Sequence, residues 1–168
     1  MAPADRVAAG GLLAGAVFGM AGTFVASPVL QACLWAVDSV GLVIAASLLA
    51  IKCFRAGADL VAGGFLVFAV GEGVLLSGTA AGPAGSVPAF AAGTALWAAA
   101  LGLVSAPRLL PVWLRLFGVV AAALFALTAM RIFAGEPLLP TSAPLPFLAY
   151  PFLVVNLLGW AWTLCRTR

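Results

Sequence analysis

Long apolar runs, separated by short polar or Gly/Pro-rich breaks, fill this chain. Six of them are long enough to cross a membrane as helices, at residues 7–26, 29–51, 60–79, 89–105, 112–133 and 147–165. Roughly 20 apolar residues, at 1.5 Å each, cover the hydrocarbon core of a bilayer. The runs are continuous rather than alternating and are rich in Ala and Leu, which excludes the strands of a membrane barrel. The pattern predicts an all-α, single-domain bundle of six transmembrane helices.

The breaks have physical causes. Ser27-Pro28 interrupts the first run, and Lys52 to Gly57 forms a charged turn ending in Gly. Residues 82–88 read as a Gly/Pro loop, and Pro107-Arg108 with Pro111 marks the next turn. The last connection holds Pro137, Pro140, Pro144 and Pro146, whose rings exclude a regular helix there. Pro151 lies near the start of the sixth run, so that helix can begin after residue 147. The first run follows Arg6, as a signal peptide would, yet it is as long as a span and Pro28 sits badly at a cleavage site. An uncleaved helix is therefore expected.

Composition narrows the class. The 168 residues are 65% hydrophobic and 8% charged, with mean hydropathy +1.22. A soluble domain carries about 25% charged residues, so lipid must cover most of this surface. Orientation follows from the basic residues. With the N-terminus inside, Arg6, Lys52, Arg55, Arg108, Arg115, Arg166 and Arg168 all fall on the cytoplasmic side, and only Arg131 lies near the outer edge. This is the positive-inside pattern. It gives both termini to the cytoplasm and suits a bacterial inner membrane. The net charge of +3 is scattered among loops, so no nucleic-acid partner is expected. Membrane lipids are the expected surroundings, with a second copy or other membrane subunits as further partners.

Two glycine series mark close helix contacts. Gly11, Gly15 and Gly19 recur every four residues, and Gly64, Gly71 and Gly78 every seven. Each series forms a smooth stripe for tight packing inside the bundle, or, for the first, between copies.

Candidate chemistry is sparse. Histidine is absent, and with it the commonest general base and metal ligand. Cys33, Cys53 and Cys165 are isolated, and no G-x-S-x-G or H-E-x-x-H occurs. Neither a metal nor a cofactor is expected, and the balance is against an enzyme. The five tryptophans read as interfacial anchors or packing groups, Trp35 and Trp113 lying near span ends. Charges inside spans are costly and are usually paired or functional. Asp38 lies nine residues, about 14 Å, from the outer boundary, and Glu72 seven residues, about 10 Å. Arg131 reaches inward from nearer the edge, Asn156 matches the depth of Asp38, and Ser77, Thr128 and Tyr150 share the outer half. One reading pairs Arg131 with Glu72 or Asp38 as a structural ion pair. The other gathers these groups around an outward-facing cavity for a cation, a proton or a small polar solute, where two acids against one Arg favour positive charge.

Arg108-Leu-Leu-Pro-Val-Trp-Leu-Arg-Leu-Phe-Gly118 forms R-x-L-P-x-W-L-x-x-x-G between two spans, and Gly64 to Glu72 is an aromatic-rich stretch ending in an acid. Over its last two-thirds the chain resembles an uncharacterised family of small six-span bacterial membrane proteins. That resemblance implies the architecture and carries no activity; the short first outer loop departs from it. Three functions compete: a small transporter or channel, a non-catalytic subunit or assembly partner of a larger complex, and, ranked last, a lipid-acting intramembrane enzyme.

Overall fold

The computed structural model describes residues 1–166, without the side chains of Pro83 and Ala84, so Arg168 lies outside the described residues. Among the described residues six helices are long and apolar enough to cross a membrane: α1 (Pro3–Phe24), α2 (Pro28–Arg55), α3 (Asp59–Thr79), α4 (Val87–Ser105), α5 (Val112–Phe133) and α6 (Phe147–Arg166). This is the architecture of a multi-pass membrane protein, and no strand occurs among the described residues.

The helix ends follow local chemistry. Pro28 opens α2 at a position whose N–H has no intrahelical partner, and the Ser27 hydroxyl accepts from the Leu30 N–H at 3.4 Å. α2 continues past the apolar run to Arg55, because Lys52 and Arg55 can carry a helix beyond the hydrocarbon with their charges in water. Gly57, at φ +71°, then reverses the chain where a side chain would be strained. Residues 82–88 are not a plain loop: Gly82–Gly85 winds into one helical turn, and α4 starts at Val87 with Pro88 in its first turn. In α6 a short 3-10 turn, Phe147–Ala149, precedes the regular helix from Tyr150, which accommodates Pro151.

Consecutive helices pack side by side, and α6 returns to α1, closing a ring in chain order. An even number of spans puts both chain ends at one end of the bundle. Four helices fill the centre with aromatic rings. Trp97 of α4 meets Phe125 of α5 at 5.0 Å, Phe65 of α3 meets Trp160 of α6 at 5.0 Å, and Phe68 stacks on Trp97 at 5.9 Å. Offset and edge-to-face pairs of this kind add to the stabilisation from burial alone.

Both glycine stripes face inward. Gly11, Gly15 and Gly19 lie against Gly41, Leu42 and Asp38 of α2, while Gly64, Gly71 and Gly78 lie against Val104, Leu96 and Ala89 of α4. At the end holding the termini, Lys52 Nζ pairs with Asp5 Oδ1 at 2.8 Å, tying α2 to α1. Arg115 Nε donates to Ser105 O at 2.8 Å and Arg115 Nη2 to Ala106 O at 3.0 Å, satisfying carbonyls at the end of α4.

Candidate functional site

The opposite end of the ring is not filled. A cavity of about 160 Å³ lies among α1, α2, α3, α4 and α6, with Pro140 of the last connection on its wall. Its lining comes from the late residues of α1 and α3 and the early residues of α2, α4 and α6. These all lie towards the end of the bundle remote from the termini.

Asp38 and Glu72 both line this cavity. Glu72 has no solvent exposure, and neither of its carboxyl oxygens has a hydrogen-bond partner. Ser39 and the Trp97 indole are its polar neighbours, but the Trp97 Nε1–H is also without an acceptor. Asp38 is half-buried, and its Oδ1 is buried without a partner. Three acceptors and one donor are thus unsatisfied in one small space, each at a desolvation cost of about 1–3 kcal/mol or more for a charged group. No Lys or Arg is among the lining residues, so among the described residues the two acids have no cationic side chain beside them.

The helices reach this arrangement through close packing of α1 on α2. Residues 15–19 of α1 form a π-helical turn rather than an α-helical one; such turns occur often at functional sites. It sits where Gly15 and Gly19 join the cavity wall opposite Leu42 and Asp38. Further out, Gln31 Nε2 donates to Gly22 O at 2.9 Å, and the Trp35 indole covers Gly22. Tyr150 donates its hydroxyl to Pro140 O at 2.6 Å, holding the last connection against the rim.

The structure divides the residues expected at the site. Asp38, Glu72 and Tyr150 meet in the cavity. Arg131 does not join them: its Nη2 pairs with Glu136 Oε2 at 2.6 Å, and the two side chains are 40% and 46% exposed. The expected buried pair of Arg131 with Glu72 or Asp38 is absent because an acid five residues along the same chain reaches the guanidinium first. Thr128 is buried on α5, which contributes nothing to the cavity, and its hydroxyl bonds Leu124 O at 2.9 Å. Ser77 is exposed and bonds Val74 O at 2.7 Å. Asn156 is buried on the α5 side of α6. It donates to Phe152 O, and its Oδ1 lies near Gly118. Thr23, Gln31, Thr79 and Ser86 also line the cavity and were not anticipated. Gln31, a polar side chain inside an apolar run, was the one signal available for them.

The fold and site define a multi-pass helical membrane protein with an acidic pocket inside the bundle. Comparison with family models, curated proteins and solved structures returns no match. Its function is therefore argued from the site.

Proposed function

We propose that this protein is a small transporter or channel whose site takes positive charge, as a cation or a proton. The observation carrying this reading is Glu72: wholly buried, unbonded at both oxygens, and facing a cavity it shares with Asp38. A carboxylate within the hydrocarbon is strongly unfavourable without a positive partner. No basic side chain supplies one here, so an entering cation relieves both acids together. Under the positive-inside orientation the cavity faces outward, and the basic bias suits a bacterial inner membrane. The first glycine stripe, which a partner subunit could have used, is already occupied by α2.

The test is charge movement. Proteoliposomes on a solid-supported membrane are given concentration jumps of H⁺, Na⁺, K⁺ and ammonium. At least one should displace charge, and Asp38→Asn with Glu72→Gln should abolish the signal while Arg131→Leu leaves it. No displacement by any cation in the parent protein rules the reading out.

A further inference from the structure

Resting on the cation reading above, we infer that the site takes a small primary organic ammonium, a protonated amine with a short apolar stem, rather than a bare metal ion. Three features of the cavity fit that class. The first is its acceptors. Asp38 Oδ1, Glu72 Oε1 and Glu72 Oε2 are the unbonded carboxyl oxygens, and a primary ammonium carries three N–H donors, as the Lys head does. A quaternary ammonium could donate to none of them. The second is the wall. Trp35, Phe90, Trp97 and Tyr150 all border the space. Aromatic faces attract an ammonium through their quadrupole, more strongly when water is excluded, and they also pack against an apolar stem. A hard divalent ion prefers six or more oxygen ligands. Among the described residues no group of three or more Cys, Asp or Glu side chains comes together to begin such a shell.

The third feature is size. At about 160 Å³ the cavity is on the scale known to hold one benzene-sized ring, and because the space opens towards the rim it has room for such a ring carrying one aminomethyl group. That is too large for a dehydrated alkali ion to fill and too small for a peptide or a lipid. The ammonium would sit at Glu72 and the stem would point along Trp35 towards the rim, where Gln31 and Thr23 stand. The unpaired Trp97 Nε1–H is left to help bind Glu72 once the carboxylate is held by the ligand.

Isothermal titration of the full chain in detergent, with benzylammonium as probe and benzyl alcohol as its neutral counterpart, tests this. Benzyl alcohol reports partition into detergent and any purely apolar binding. Saturable benzylammonium binding, at least tenfold tighter than benzyl alcohol and tenfold tighter than tetramethylammonium, is expected. Glu72→Gln should weaken it by at least tenfold and Trp97→Leu by severalfold. Equal binding of the charged and neutral probes, or no binding of either, overturns the inference using the parent protein alone, whatever the variants do. If H⁺, Na⁺ or K⁺ displaces charge in proteoliposomes while benzylammonium fails to bind, the ligand class is wrong and the cation reading stands. If no cation, organic or inorganic, gives a response, both fall.

Discussion

Gly19 of α1 faces the carboxylate of Asp38 so closely that a Cβ on the glycine would lie 2.7 Å from Asp38 Oδ2. The acid is therefore positioned by the absence of a side chain opposite it. The obstructing atom is the end of a rotatable side chain, so Gly19→Ala should be accommodated by turning Asp38 away. We expect nearly unchanged thermal stability in detergent and a severalfold loss of cation response. A large fall in Tm, or an unaltered response, would show that Asp38 does not depend on this contact.

Gly15 should behave differently. Its missing Cβ would overlap the Leu42 side chain, with Leu42 Cγ at 2.5 Å, and Leu42 is itself buried in the core. Gly15→Leu forces α1 off α2, and overpacking of this kind costs about 1–3 kcal/mol or more. Thermal unfolding in detergent should show a clearly lower Tm; a parent-like Tm would mean that the stripe is not a packing face.

Gly118 and Ser105 form a second tight contact, between α5 and α4. A Cβ on Gly118 would overlap Ser105 Oγ and lie 3.2 Å from Asn156 Oδ1. Gly118→Ala should destabilise the bundle by about 1–3 kcal/mol. Ser105→Ala removes the obstructing oxygen, so the double variant should recover much of that loss. Additive losses in a double-mutant cycle would refute the contact.

Arg131 gives the converse expectation. Its partner is the exposed Glu136, not an intramembrane acid. Arg131→Leu should leave thermal stability close to that of the parent, because exposed ion pairs contribute little. Arg131→Leu and Glu72→Leu should combine additively. A large coupling between them would restore the buried pair that the depth of the two residues had suggested.

Orientation can be tested with membrane-impermeant thiol reagents in a background lacking the native cysteines. Thr141 and Ala56 are both exposed, at opposite ends of the bundle. A cysteine at Thr141 should react from outside and one at Ala56 should not, since the basic residues assign Ala56 to the inner face. The reverse labelling would invert the protein.

How much of this was legible in the chain depends on which coordinate is asked for. Hydropathy reports position along the bundle: the apolar runs and the six long helices differ by at most four residues at any end, and Asp38, Glu72 and Tyr150 line one cavity. Rotation about the helix axis was much less legible, because these helices are apolar nearly all round and carry little sign of which side faces the ring. Asn156 and Thr128 therefore matched the acids in depth yet point elsewhere, and Arg131 was claimed by Glu136, whose loop position gave no warning. Glycine spacing was the exception. A stripe defines a face as well as a depth, and both stripes lie on real contacts.

The π-helical turn at Gly15–Gly19 explains how the first stripe stays aligned. In a regular α-helix each four-residue step overshoots a full turn by about 40°, so a series spaced by four would wind gradually off a straight neighbour. The wider turn takes back that overshoot midway, like a vernier reset. Gly11, Gly15, Gly19 and Gly22 meet Ala45, Leu42, Asp38 and Trp35 in order down one neighbour. Deleting one residue within that turn would restore an unbroken α-helix, and the rotation lost with the residue would match the rotation the wide turn withholds, so everything beyond it would keep its face. A deletion in the α-helical residues that follow, between Gly19 and Gly22, would instead swing Gly22 about 100° from beneath Trp35, so the spare residue sits where its loss leaves the pocket its wall.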